Sequence, residues 1–315
     1  MPAVSVLMPV YNAERYIGEA VRSILDQTLA DFEFVVIDDG STDRSGELLA
    51  ALAADDPRIR LIRRSNTGYL RALNEGLALC SGELVARMDA DDVALPERFE
   101  RQVRYLREHP ECLAVGCGML RIDADGDLIC EEPTPTGHEE IEARLLKGLG
   151  ALPHPGAMIR REALVALGGY REEYYGVEDH DLWLRLAERG RLANLPEPLI
   201  KFRTHPENFT FVNEARNRQT LAAVLADAYR RRGLPPPDDW LGELSPPLPG
   251  IARSAAWTRS AIYAGQYRTA RKHALAIWKH SLWRCDSWIL LIHALLGPRA
   301  GPLRRVYRRL RGSQR

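Results

Sequence analysis

Three carboxylates stand within four residues in the stretch Met88-Asp89-Ala90-Asp91-Asp92. They repel one another, and no lysine or arginine sits among them to offset that. Hard divalent cations take oxygen ligands, and Mg²⁺ is commonly shared with a substrate's phosphates, so the cluster suits a metal–phosphate site. The plain alternative is a solvated loop with an N-cap, since a bare D-x-D also arises by chance. An EF-hand calcium loop fails, because the sixth position, which needs Gly, holds Ala94, although the twelfth holds Glu100. A second acidic group, Asp38-Asp39, follows an apolar run, and a third, Glu178-Asp179, opens a stretch of helical spacing. Acidic residues are favoured in a first helical turn without any function. The same dipole is expected to lower the pKa of Asp179 and keep it ready to accept a proton.

The elements that must position these groups alternate. Val4–Met8, Phe32–Ile37, Ile59–Ile62 and Leu84–Met88 are short apolar runs that read as buried strands. Between them, Ala13–Gln27, the stretch through Leu48 and Leu52, and Gly68–Cys80 carry apolar residues at helical spacing. Strand and helix in alternation predict an α/β fold with a mainly parallel, doubly wound sheet, whose ligands bind at the carboxyl ends of the strands. Pro9-Val10-Tyr11-Asn12, Asp38-Asp39 and Asp89–Asp92 all follow strands, so they can converge on one crevice. No G-x-G-x-x-G follows the first strand and no G-x-x-x-x-G-K-[ST] occurs, so the usual glycine cradles for phosphates are absent. A nucleotide would have to be held by metal on carboxylates, with Arg71 one turn into its helix as a charge-assisted donor to phosphate. A surface helix arginine is the alternative for Arg71.

The chain of 315 residues holds 43 Lys+Arg and 43 Asp+Glu, an ordinary globular balance. The balance hides an asymmetry: residues 251–315 contain 14 Lys+Arg and a single acid, Asp286. Such a tail predicts an anionic partner, membrane surface or nucleic acid. The five cysteines are scattered without a C-x-x-C, which suggests neither a disulfide framework nor a zinc site. The chain opens directly on a strand pattern, so no signal peptide is expected, and the longest apolar run, Trp288–Leu296, is far below the roughly 20 residues of a spanning helix. A cytoplasmic protein is expected.

Further on, Ala114–Leu120 reads as a strand and Asp123-Ala124-Asp125-Gly126-Asp127 as a hairpin turn, since Gly126 is misplaced for a calcium loop and no bidentate Glu follows. His154, in Pro153-His154-Pro155-Gly156, precedes a strand over Ala157–Arg160 and is as compatible with a structural role as with a site.

Several of these stretches carry a resemblance. VSVLMPVYNAERYIGEAVRSILDQTLADFEFVVIDDGSTD and NTGYLRALNEGLALCSGELVARMDADD resemble the nucleotide-binding half of inverting glycosyltransferases of family 2, of the bacterial cell-surface polysaccharide type. HPGAMIRREALVALGGYREEYYGVEDHDLWLRLAERG resembles that family's acceptor half. The likeness covers roughly residues 3–210. It implies a GT-A fold and transfer of a sugar from a nucleotide donor, a UDP-sugar for preference, to a glycan or lipid-linked hydroxyl, with Mn²⁺ or Mg²⁺. Carried over by position, it makes Asp39 the partner of the base's imide N–H, with Tyr11 against the base and Pro9 shaping the strand end. Packing is the alternative for Tyr11. Asp91 becomes the direct metal ligand, with Asp89 on the ribose or reaching the metal through water, and Asp92 as a further ligand. Asp179 becomes the base that takes the acceptor's proton. His205, in Phe202-Arg203-Thr204-His205, is a further metal or phosphate candidate against a plain loop histidine. His180 and Asp181 read as surface or supporting groups.

The expected organisation is a glycosyltransferase domain over 1–213, a helix and proline-rich linker over 214–250, and a basic helical extension over 251–315. Ile251–His280 resembles one tetratricopeptide hairpin with Ala270, Ala274 and Ala276 packing, and such a unit cannot bury its face alone. The apolar Trp288–Leu296 followed by Arg304, Arg305, Arg308, Arg309 and Arg311 favours an anionic membrane leaflet over nucleic acid, placing the protein peripherally on the inner face of the cytoplasmic membrane. Two other functions compete. A sugar-nucleotide nucleotidyltransferase would want a glycine- and arginine-rich loop after the first strand, where Pro9–Asn12 stands. A non-catalytic nucleotide-binding scaffold would have lost the D-x-D or the Glu178-Asp179 pair, and both are present.

Overall fold

In a computed structural model, residues 1–205, 208, 213–236, 250–280 and 285–300 are described. The chain forms two compact units: Met1–Met119, Glu132–Arg203 and Glu207–Ser245 make the first, and Leu120–Glu131, Thr204–Pro206 and Pro246–Arg315 the second.

The first unit is built on β1 (Val4–Val10), all of whose seven residues are buried. A strand covered on both faces needs apolar residues in succession, which is why it reads as a continuous run. β2 (Phe32–Asp38) and β4 (Leu84–Arg87) flank it in parallel, and β3 (Ile59–Arg63) extends the sheet beyond β2, with Val10 level with Asp38 and Leu7 level with Arg87. From β4 outward the sheet changes direction. β8 (Met158–Arg160) pairs antiparallel with β4, and β6 (Cys112–Ile122) antiparallel with β8. β9 (Arg191–Arg203) follows β6, and the two-residue β5 (Val93–Ala94) closes that edge against β9. The expected parallel, doubly wound half is present, and the acceptor half that the resemblance implied is antiparallel.

Side-chain alternation splits the core in two. Val4, Val6, Met8, Phe34 and Val36 point to one face, under α1 (Ile17–Leu25) and α4 (Arg98–Glu108). Leu7, Val35 and Ile37 point to the other, under α3 (Tyr69–Leu79) and α7 (Glu178–Ala187). α2 (Ser45–Asp55) buries Leu49 on the α1 side. α3 lies tight on β1 because residue 76 is glycine: a Cβ there would come within 2.2 Å of Leu7 Cδ1. α5 (His138–Leu146) buries Ile141 and Leu145, and the short α6 (Arg161–Ala166) buries Leu164. α8 (Glu214–Arg231), read from sequence as part of a connecting stretch, buries Val224, Leu225 and Ala228 in the second core and pairs Arg231 with Glu188 at 2.8 Å.

In the second unit, α9 (Gly250–Tyr263) and α10 (Tyr267–His280) form the expected hairpin, turning at Gly265 with φ 75°. Ala270 and Ala274 are buried as expected, whereas Ala276 is exposed and Ile277 takes the inward position. The hairpin does not stand alone: α11 (Cys285–Leu296) and Ile129 of β7 (Leu128–Glu132) complete its core. The turn between β6 and β7 is Asp123–Asp127, and its three aspartates hold an ammonium. Lys272 Nζ lies 2.7, 2.6 and 2.9 Å from carboxylate oxygens of Asp123, Asp125 and Asp127, and His273 Nε2 is 3.1 Å from Asp123. These partners hold the Asp123 carboxyl well below the usual carboxylate range. The proline-rich stretch 237–249 and the arginines at 304–311 lie outside the described residues.

Candidate active site

β4 delivers its acids by ending in a fixed frame. Met88 N–H donates to Leu7 O at 3.1 Å and Arg87 N–H to Ala157 O at 2.9 Å, so the chain leaves the sheet with Asp89 just beyond its carboxyl edge. One carboxylate oxygen from each of Asp89, Asp91 and Asp92 falls within 4.8 Å of the others. Asp89 and Asp91 are half-buried and Asp92 is buried. Arg203, at the end of β9, clamps this loop. Its backbone N–H donates to Asp92 Oδ1 at 2.7 Å and its Nε to the Asp91 carbonyl at 2.7 Å, while Nη2 reaches Glu19 at 2.7 Å. Asn208 Nδ2 donates to Asp91 Oδ2 at 3.3 Å.

Burial, with the charges of Asp91 and Asp89, pushes the Asp92 carboxyl well above the ordinary carboxylate range, and burial likewise raises Asp89 against the opposing pull of Arg87. Asp92 Oδ2 is buried and has no hydrogen-bond partner among the described residues. An all-oxygen set with an orphaned carboxylate oxygen fits a hard divalent cation, and the pattern would suit Mg²⁺ or Mn²⁺ in preference to softer ions.

The second acidic group lies at the start of α7. Glu178 is buried, and its Oε2 accepts from Gly176 N–H at 2.7 Å. Burial and the neighbouring Asp179 charge push Glu178 up to about 7. Asp179 is also raised, by burial above all, so the expected lowering by the helix dipole is outweighed. The charge of Asp179 is itself among the causes that raise Asp89, which puts the two acidic groups of the first unit in one electrostatic field.

The rest of the E-D-H-D stretch is structural. His180 and Asp181, read from sequence as surface or supporting groups, are buried: His180 Nε2 meets Leu145 O at 2.8 Å, and Asp181 accepts from Arg171 Nε at 3.0 Å and Arg185 Nε at 2.8 Å. His154 is buried too, with Nε2 2.9 Å from the Tyr170 hydroxyl and its ring edge-on to Trp183. Burial holds it well below the ordinary histidine pKa, hence neutral.

Along the parallel strand ends, Pro9 is buried level with Ile37, and Tyr11 beyond it is 52% exposed. Asn12, in the left-handed region at φ 49°, accepts from Thr42 N–H at 2.8 Å and ties the two loops together. Asp38 closes its own turn by accepting from Ser41 N–H at 3.0 Å. Asp39 is buried and accepts from Thr67 N–H, Gly68 N–H and Arg64 Nε at 3.0, 2.9 and 2.8 Å. Gly40 lets loop 64–66 approach, since a Cβ there would meet Asn66 N at 2.6 Å. Arg71, expected to face a phosphate, forms an exposed pair with Glu172 at 3.2 Å. His205 belongs to the second unit and is outside the three-carboxylate group.

Two functional candidates escaped the sequence reading. Arg203 was seen only as part of a closing stretch, and Arg87 only as a strand residue. An arginine inside an otherwise apolar strand that runs into three acids was the available signal.

A profile described as glycosyl transferase family 2 matches residues 5–168. An uncharacterized glycosyltransferase of Haemophilus influenzae is 35% identical over 242 residues, 71% of this chain and 72% of that protein. Chondroitin synthase of Escherichia coli is 28% identical over 235 residues, 74% of this chain but 34% of its own length. The chain thus spans about a third of that relative. Among solved structures, the mannosyltransferase PcManGT from Pyrobaculum calidifontis with GDP-Man and Mn²⁺ aligns over 94% of this chain and 86% of its own, at TM-score 0.57 and 22% identity. S. aureus TarS 1-349 with UDP-GlcNAc aligns over 93% and 92%, at TM-score 0.55 and 19% identity. The fold is of the GT-A kind. The chain belongs to glycosyl transferase family 2.

Proposed function

We propose that this protein is a metal-dependent, inverting glycosyltransferase that moves a sugar from a nucleotide-sugar donor, of the UDP class, to a hydroxyl of a glycan or lipid-linked acceptor in surface polysaccharide synthesis. The observation that carries this is the cluster of Asp89, Asp91 and Asp92 just beyond the carboxyl end of β4, with the Asp179 charge acting on Asp89. Chondroitin synthase among the relatives, and bound UDP-GlcNAc and GDP-Man among structures of this fold, support the substrate class.

Pro9, Tyr11 and Asp39 form the base and ribose side. Asp39 reaches an imide N–H with the acceptor capacity that its three observed donors leave. Asp91, with Asp89 and Asp92, is the metal site. Arg71 meets a phosphate only by giving up Glu172. Asp179, beside Glu178, takes the proton of the acceptor hydroxyl. The acceptor oxygen forms a bond to the anomeric carbon as the bond to the nucleoside diphosphate breaks, and the electron pair leaves with the diphosphate. A bound divalent cation supplies electrostatic stabilisation of that leaving group. A single displacement inverts the anomeric centre.

Incubating the protein with UDP-, GDP- and dTDP-sugars and Mn²⁺ should release nucleoside diphosphate from the UDP-sugars in preference to the others. The transferred linkage, read by NMR, should have the opposite anomeric configuration to the donor. Retention of configuration, or inertness towards every donor, would reject the assignment.

The peripheral membrane position belongs to the same proposal. Among the described residues no helix is long and apolar enough to cross a membrane. Trp288, Ile292, Leu295 and Leu296 follow one face of α11 and are each at least 41% exposed. Each Lys or Arg near an anionic leaflet adds about 1 kcal/mol, screened by salt. Deleting residues 299–315 should abolish low-salt sedimentation with phosphatidylserine vesicles and leave donor hydrolysis largely intact. Full-length protein that ignores such vesicles would point to a protein partner for the tail.

A further inference from the structure

A buried charge beside the acidic crevice is Arg87, the last residue of β4, at 1% exposure. The backbone fixes it from both sides: its N–H donates to Ala157 O, and its carbonyl accepts from Arg98 Nη2 at 2.8 Å. Its guanidinium uses one nitrogen. Nη2 donates to Asp89 Oδ1 at 2.6 Å and to the Tyr69 hydroxyl, while the Tyr69 ring lies 5.5 Å from the guanidinium carbon. Nε and Nη1 are buried and have no hydrogen-bond partner among the described residues.

A purely structural ion pair accounts poorly for this arrangement. Arginine matches a carboxylate through two parallel N–H groups, and here the fork is not used. Buried guanidinium donors left bare are costly, so a fold that keeps them has a use for them. The position indicates the use. The charge of Arg87 acts on Asp89 and Asp92 and also on Glu178 and Asp179, so both acidic groups lie in its field. Five carboxylates around one crevice would repel an anionic donor. The other arginines near it are engaged: Arg64 with Asp39, Arg203 with the metal loop and Glu19, Arg71 with Glu172. Tyr69 and Asp89, the two groups that Arg87 grips, are both partly exposed and give access from the crevice.

We propose that Arg87 is the inner arginine of the donor site, whose bare Nε and Nη1 donate to the diphosphate of the bound nucleotide sugar. This rests on the nucleotide-sugar reading above and adds to it a binding residue inside the sheet, distinct from the rim position of Arg71.

The test compares a diphosphate with its nucleoside. Calorimetric titration of UDP and uridine, and of GDP and guanosine, would be run with saturating Mn²⁺ on the wild type, Arg87→Gln, Arg87→Lys and Arg71→Gln. Loss of charged hydrogen bonds of this kind corresponds to roughly a 10–100-fold weakening. Arg87→Gln should therefore weaken the diphosphate by about that factor, with nucleoside affinity unchanged. Nucleoside affinity would fall as well if the arginine only shaped the fold. Arg87→Lys should keep part of the diphosphate affinity, and Arg71→Gln should have the smaller effect. If Arg87→Gln does not fold, the lysine variant decides: weaker diphosphate binding with nucleoside binding kept supports the proposal, and unchanged diphosphate binding overturns it. It is also overturned if Arg87→Gln keeps the wild-type preference for diphosphate over nucleoside, or if Arg71→Gln alone abolishes that preference. A wild type that binds neither UDP nor GDP would instead reject the donor reading itself.

Discussion

Asp179→Asn should lower turnover by about 10²–10⁴-fold, the contribution typical of a positioned general base, while nucleotide binding survives. Asparagine keeps the size of the side chain and the acceptor that His180 N–H uses at 2.7 Å, so the start of α7 should hold. It cannot take a proton. The donor groups stand on other elements, Asp39 after β2 and Asp91 after β4, so calorimetric affinity for UDP should change little. The pH profile adds a second reading. Burial and mutual repulsion raise both members of the Glu178-Asp179 pair, Glu178 to about 7, and the base works only when deprotonated. Turnover should therefore climb with pH through the range in which the pair loses its protons and level off above it. The apparent pKa belongs to the pair and not to one residue. In the asparagine variant the repulsion is gone, so any residual activity should level off at lower pH. Near-normal transfer by Asp179→Asn would move the base to Glu178 or His154, and the neutral, hydrogen-bonded His154 makes Glu178 the stronger of the two.

Asp91→Asn, or EDTA, should remove most of the affinity for nucleoside diphosphate. Losing a mere supporting contact at a metal site costs 10–100-fold, so loss of a direct ligand should cost about 100-fold. Stability should move the other way in the absence of metal. Three carboxylates within 4.8 Å repel one another, and removing one relieves Asp89 and Asp92, both of which carry Asp91 among the causes of their raised pKa. The melting temperature of Asp91→Asn in EDTA should equal or exceed that of the wild type. Mn²⁺ at 100 times its dissociation constant should stabilise the wild type by about 2.7 kcal/mol and the variant by far less. Equal UDP affinity with Mn²⁺, with EDTA and in Asp91→Asn would remove the metal from the mechanism.

Much of this was legible in the residues. The strands β1, β2 and β4 are almost wholly buried, and a strand in that position is mostly apolar, so Val4–Met8, Phe32–Ile37 and Leu84–Met88 announced themselves. Their parallel direction followed from the helices between them, and with it the convergence of the Pro9, Asp39 and Asp89 positions on one edge. The resemblance supplied the family, and the matched profile and relatives show it.

Tertiary structure decided what depends on partners distant in sequence. The antiparallel β8 and β9 neighbour strands distant in sequence, β4 and β6 for β8 and β6 and β5 for β9, so local pattern could not order them. The state of Asp179 depends on how deeply it is buried beside Glu178, which a helix-dipole argument from sequence got in the wrong direction. Asp181 has the same charge and nearly the same position in its helix as Asp179, yet it is spent on Arg171 and Arg185, and only the fold tells the two apart. Arg203 reaches the metal loop across 111 residues of chain. Arg87 shows the division most plainly. Its sequence context marks a strand residue, whereas its two bare donors, beside Tyr69 and Asp89, exist only once β4 and α3 have packed. Periodicity and local charge are properties of neighbours along the chain. Desolvation and hydrogen-bond satisfaction are properties of neighbours in space, and the chemistry of this site is set by the second kind.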